Sequence, residues 1–151
     1  MAGRRDVLLD TGPLVAVLDA ADPSHEGCAE RLAALHSRCL TTEAVVTEAC
    51  HLVLRGGGPA HLPLEALLAA GIPIFGLETP GHRQAALLMA RYGNLPMDYA
   101  DATLVVLADA LDLDNVFTLD LRGFGAYRRL RGGALSVLPL LPTPRSPRKR
   151  G

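Results

Sequence analysis

The sequence predicts an α/β domain built on a central parallel sheet of about five strands flanked by helices. Three observations predict it. Short apolar runs alternate with longer helix-patterned segments along the chain, the order that gives right-handed crossovers and a parallel sheet. At 151 residues and 49% hydrophobic composition, the chain is long enough for one substantial core and short for two. With 4% aromatic residues and no Trp, that core must come from Leu, Val and Ala, which suits helices layered on a parallel sheet. The same scarcity disfavours an aromatic stacking platform for single-stranded bases.

The apolar run Val7 to Asp10, followed by Thr11, Gly12 and Pro13, is a buried strand entering a turn and then a helix. Asp22, Pro23 and Ser24 offer a cap for a helix over Ser24 to Leu35, and Arg38 to Thr41 makes a brief second strand. Thr42 and Glu43 open a helix to about Leu54, closed by Gly56, Gly57 and Gly58. Pro63 to Ala70 is a short helix stopped by Gly71, and Ile72 to Leu77 is a third strand. Pro80 to Tyr92 is helical until Gly93 and Asn94 break it, and Pro96 to Leu111 is the longest apolar helix. Val116 to Leu119 gives the fourth strand and Ser136 to Leu140 the fifth. The domain is expected over 1–141, with the Pro- and Arg-rich residues 142–151 as a flexible basic tail.

The formal charge is -1, but Arg145, Arg148, Lys149 and Arg150 sit in the last seven residues, leaving -5 for the rest. An acidic body does not bind nucleic acid by a broad basic surface, so phosphates would be met by local arginines or by metal ions. Cys28, Cys39 and Cys50 are odd in number and form no C-x-x-C pair, which supports neither a disulfide framework nor a zinc site and fits a reducing cytoplasm. No stretch has the length of a signal or a membrane span.

In this layout Asp10 closes strand one, Glu48 lies in the helix after strand two, Asp98 and Asp101 begin the long helix, and Asp120 closes strand four. Functional groups gather at the carboxyl ends of parallel strands, so all five can reach one cleft. Asp98 and Asp101, three apart, share a helix face, where like charges cost free energy unless the helix N-terminus or a cation offsets them. A hard divalent cation, magnesium or manganese, accounts for the set economically, because such ions take oxygen ligands. Taken singly, each acid also has a plain local use as a cap, turn former or surface group.

Four blocks carry a family resemblance: LLDTGPLVAVLD around Asp10, TTEAVVTEACHLVL around Glu48, PMDYADATLVVLADAL around Asp101 and VFTLDLRGFGAYR around Asp120. In this order and over Val7 to about Leu140, the chain resembles the PIN-domain family, in particular its VapC-like toxin ribonucleases. The resemblance implies a three-layer PIN-like fold and metal-dependent endonucleolytic cleavage of RNA by a metal-activated water. It carries the family's four acids onto Asp10, Glu48, Asp101 and Asp120 as catalytic residues. Asp10, Asp98, Asp101 and Asp120 then hold Mg2+ or Mn2+, and Thr11, Thr118 and Arg122 become candidates for substrate contact. It also implies a cognate antitoxin partner and a homodimer. In the fourth block the family often has an acid where this chain has Gly123, which puts a second metal ion in doubt.

Arg122, Arg128, Arg129 and Arg131 follow strand four and are candidates for RNA phosphates, weighed equally against a solvated surface. The five histidines show no metal-ligand spacing, Gly56 to Gly58 lack the Lys and Ser/Thr of a phosphate loop, and DTGPLV lacks G-x-G-x-x-G. The apolar faces of the second and third helices fit packing on their own sheet better than a docking groove. Two rival readings are a catalytically silent module that binds RNA or protein and, ranked last for want of a D-x-D pattern, a phosphatase using Asp10 as nucleophile.

Overall fold

The computed structural model describes residues 6–140. The expected tail over 142–151 lies outside the described residues. Five parallel strands, β1 (Val7–Leu9), β2 (Cys39–Thr42), β3 (Ile74–Phe75), β4 (Asn115–Phe117) and β5 (Ser136–Val137), lie in the order β3-β2-β1-β4-β5. Leu8 stands opposite Leu40 on one side and Val116 on the other. The helices are α1 (Thr11–Val17), α2 (His25–Leu35), α3 (Glu43–Arg55), α4 (Leu62–Ala69), α5 (Thr79–Arg91), α6 (Tyr99–Leu111) and α7 (Leu121–Ala126). The α/β reading with about five strands holds.

The sheet grows outward from β1 in both directions, so its topological switch point falls between the adjacent strands β1 and β4. A crevice opens at such a point beyond the strands' carboxyl ends, because the flanking connections leave toward opposite sides. All three residues of β1 are fully enclosed. On the other side of the core, α6 is buried without a break from Ala102 to Asp109, which explains why its sequence is apolar all round rather than striped.

Several boundaries shift from the sequence expectation. Pro96 and Met97 precede α6, because Asp98 takes the N-cap position, and α3, α5 and α6 are equally long at 13 residues. The third and fifth strands shrink to two residues each as edge strands. Gly71 ends α4 with φ of 68°, a left-handed conformation that suits glycine. Helix α7 has no counterpart in the sequence reading, since two glycines in six residues lower its helix propensity; the Asp120 carboxylate caps it instead.

Two of the candidate phosphate-binding arginines are committed to the fold. Arg128 donates from Nη1 to the carbonyls of Gly125, Ala126 and Tyr127, closing α7. Arg129 donates to Asp112 Oδ1 at 3.1 Å and sets its Nε 3.9 Å from the buried Asp109 Oδ1, while Leu130 N–H donates to Asp109 Oδ2 at 2.7 Å. The contacts of Arg129 and Leu130 lie at the carboxyl end of α6, roughly 20 Å along the helix from Asp98 by its rise per residue. Arg129→Ala leaves the Asp109 charge buried without its cation, so it is expected to lower stability on the order of 2–3 kcal/mol, read as a shift in the urea midpoint.

Candidate functional site

Asp10, Asp98, Asp101 and Asp120 are placed by where a strand ends or a helix begins, and Glu48 by the inner face of α3. Asp10 follows β1 directly and its N–H continues the ladder to Phe117 O of β4 at 3.0 Å. Its carboxylate is 6% exposed and accepts a 2.6 Å hydrogen bond from Thr118 Oγ1, just past β4. The same Thr118 oxygen accepts from the Asp120 N–H at 2.9 Å, so one hydroxyl fixes two of the acids relative to each other. Glu48, in the second turn of α3, accepts from Thr11 Oγ1 at 2.9 Å, which turns it toward the start of α1 beside Asp10. Asp98 and Asp101 form a reciprocal capping box on α6: Asp101 N–H donates to Asp98 Oδ1 at 2.8 Å, and Asp98 N–H donates to Asp101 Oδ2 at 3.2 Å.

A tyrosine completes the ring. Tyr127 is fully buried, its ring packed at 5.2 Å against both Tyr92 and Phe124, and its hydroxyl donates toward Asp101 Oδ2 at a long 3.4 Å. Asp120 Oδ1 accepts from Gly123 N–H at 3.0 Å. A Cβ on Gly123 would stand 2.3 Å from Asp120 Oδ2 and 2.9 Å from the Tyr127 hydroxyl. Glycine therefore makes room for both groups, and Gly123→Ala must push one aside. Its expected cost is about 1–3 kcal/mol in a chemical denaturation curve, the usual range for overpacking.

Crowding among the acids is visible in their protonation. Burial pushes Asp10 up to about 6; hydrogen bonds from Thr118 and Thr11 restrain it, while the Glu48 and Asp98 charges add to it. Burial, then the charges of Asp98 and Asp10, raise Asp101 to about 8, with Asp120 contributing and the Asp98 N–H opposing. Glu48 is raised by burial, against the Thr11 hydrogen bond, with Asp98 adding to the rise. Tyr127 is also raised, chiefly by burial and then by Asp101 and Asp120. The charges of these acids thus reach one another pairwise.

Among the described residues, no three His, Cys, Asp or Glu side chains converge into a ready-made metal cage. Each carboxylate is turned to a local partner: Asp10 to Thr118, Glu48 to Thr11, Asp98 and Asp101 to each other's backbone, and Asp120 to Gly123. The donor set nevertheless fits a hard dication. It offers carboxylate oxygens of one charge sign, and magnesium keeps several waters and needs only one or two direct carboxylates.

The sequence profile of the PIN domain matches residues 7–130. The chain belongs to the PIN domain family. Ribonuclease VapC26 of Mycobacterium tuberculosis is 33% identical over 135 residues, an alignment covering 88% of this chain and 100% of that protein. The crystal structure of the sarcin-ricin-loop-cleaving toxin VapC20 of the same species superposes with a TM-score of 0.69 at 20% identity, over 78% of this chain and 92% of the other. At that identity the superposition establishes the shared fold.

The predicted acids are connected by the charge effects of Glu48 and Asp98 on Asp10 and of Asp98, Asp10 and Asp120 on Asp101, without three of their side chains closing on one point. Thr11 and Thr118, expected against substrate, are 4% and 2% exposed and spend their hydroxyl protons on Glu48 and Asp10. Arg122 is exposed on α7, two residues past Asp120. Sequence reasoning missed Tyr127 and the use of Gly123. The spacing of Asp120 and Gly123 as cap and third residue was the one available signal for the second, and Tyr127 had none. Among the described residues, no helix is long and apolar enough to cross a membrane.

Proposed function

We propose that this PIN-domain chain is a metal-dependent endoribonuclease, the toxin of a toxin–antitoxin pair, that hydrolyses phosphodiester bonds in RNA. The observation that carries the reading is the set of acids beyond the β1/β4 switch point, in which burial and neighbouring negative charge raise the pKa of Asp10, Glu48 and Asp101. Likeness to a protein named ribonuclease over its whole length supports the same reaction class. Asp10, Asp98, Asp101 and Asp120 would hold Mg2+ or Mn2+. When bound, the ion supplies charge neutralisation for the phosphodiester and acidifies the attacking water.

The chain's own residues position these parts. Thr118 orients Asp10 and Asp120 together, and Thr11 aims Glu48 into the crevice as the fourth catalytic acid. Tyr127 steadies Asp101 from behind. Arg122 takes an RNA phosphate at the rim. A cognate antitoxin, a homodimer and a cytoplasmic setting belong to the same reading.

The deciding experiment is cleavage of labelled structured RNA by wild-type and Asp101→Asn protein in manganese, magnesium and chelator. Cutting only by wild type and only with metal is the expected result. A wild-type protein that cuts nothing across a broad RNA panel would replace the nuclease with a silent RNA- or protein-binding module.

A further inference from the structure

A groove leads away from Glu48 and Asp98 along residues to which the reaction assigns no role. A cavity of about 460 Å³ is bounded in part by Glu48 and Asp98 and continues past Ala44, Thr47 and Tyr99. The same three residues bound a second, smaller cavity of about 210 Å³, which Glu43 and His82 also line. The first is within the ~300–1,000 Å³ range of small-ligand sites. Tyr99 is the first helical residue after the Asp98 cap and remains 44% exposed, unusual for a large ring in a chain so poor in aromatics. Glu43 opens α3, where Thr47 Oγ1 donates to its carbonyl at 3.0 Å. Its carboxylate lies against Gly76, where a Cβ would come within 2.9 Å of Oε2; a side chain at 76 would displace the carboxylate.

We propose that this groove is a nucleobase subsite that stacks one guanine of the RNA on Tyr99 and reads its Watson–Crick edge with Glu43. The proposal rests on the ribonuclease reading and names the substrate feature that the same crevice selects. A single exposed ring is enough for one base, because stacking needs one π-face. Tyr99 lines both cavities, so a base stacked on its ring in the larger one would turn its edge toward Glu43 in the smaller one while its phosphate passes Glu48 and Asp98. A carboxylate accepts and does not donate. Guanine alone offers it two adjacent donors, N1–H and the 2-amino group, in a charge-assisted bidentate pair. Adenine and cytosine pair one amino donor with a ring acceptor that repels the second oxygen, and uracil flanks its single N–H with two carbonyls. Sequence-specific recognition of unpaired RNA proceeds through such edges.

The test uses fluorescein-labelled hexauridylates carrying one central guanine, adenine or inosine, titrated by anisotropy with Asp101→Asn protein in manganese. KM and kcat of wild type are measured on the same RNAs. The guanine probe is expected to bind about tenfold more tightly than the adenine probe. Tyr99→Ala in that background is expected to weaken guanine binding about tenfold, and Tyr99→Phe less than twofold. Glu43→Gln is expected to erase the guanine preference while leaving the melting temperature unchanged. In the cleavage-competent protein, Tyr99→Ala raises KM and leaves kcat nearly constant. Equal binding of guanine and adenine probes, or a Tyr99→Ala protein that binds like its parent, overturns the subsite. So does a change in sedimentation on Tyr99→Ala, which would give this face to a second copy of the chain. Because the anisotropy does not need cleavage, a base contrast without RNA cutting upholds the subsite and removes the nuclease; cutting without contrast does the reverse.

Discussion

Asp101→Asn is expected to cut the rate of RNA cleavage by about 10³-fold or more while raising the melting temperature of the metal-free protein at pH 8 by a few degrees. The activity loss follows from the position of Asp101 in the acid set: a lost ligand for a Lewis-acidic ion forfeits several kcal/mol of transition-state stabilisation, and each 1.36 kcal/mol is tenfold in rate. The stability gain follows from the sign of the pKa shift. Burial and the charges of Asp98, Asp10 and Asp120 hold the folded Asp101 at about 8, above its ordinary 3.8. Folding therefore takes up a proton between those values, and the stability of the metal-free chain falls as pH rises through that window. Below about pH 4 the contribution is fully present; above about pH 8 it is gone. Asparagine is neutral throughout, so the variant keeps at pH 8 what wild type has lost. Asp101 is only half-buried, so solvent screening limits the gain to a few degrees. Melting curves at pH 5 and pH 8 separate the outcomes: a variant that is inactive and also destabilised at both pH values would make Asp101 a structural residue whose loss merely disrupts α6.

Why the acids were legible and their supports were not has a physical basis. Asp10, Asp98, Asp101 and Asp120 sit where an apolar run ends or a helix begins, and such boundaries are written locally in the sequence. Parallel topology then brings strand ends together whatever the details of packing. Glu48 came only through the resemblance and the helix after β2, since a mid-helix glutamate carries no signal of its own. Tyr127 depends on α7, a six-residue helix with two glycines, whose course is set by the Asp120 cap and by burial of Phe124. Gly123, which in the sequence is a missing acid, is in the fold the space occupied by the Tyr127 hydroxyl and the Asp120 carboxylate. Arg128 and Arg129 show the converse: sequence reveals their charge but not their partners, and those partners turn out to be helix-end carbonyls and Asp109 and Asp112.

Divalent metal should reverse the pH dependence that the acids impose. In its absence, Asp10 at about 6 and Asp101 at about 8 both make the folded state less stable as pH rises past their ordinary values, because each must ionise in a partly buried, negatively charged crevice. A dication binds the ionised carboxylates and competes with protons for them, so its affinity climbs across the same window. At a concentration near one hundred times its dissociation constant, a ligand specific to the folded state adds about 2.7 kcal/mol. For a chain of this size that corresponds to a rise of roughly 5–10 °C in melting temperature. The rise is expected with magnesium or manganese at pH 8, much smaller at pH 5, and absent at either pH from the Asp10→Asn, Asp101→Asn double variant; chelator should remove both the rise and the RNA cleavage. Equal stabilisation at pH 5 and pH 8, or an undiminished rise in the double variant, would move the ion away from these acids. Cleavage that survives chelation would leave them as buried charges whose repulsion serves no metal.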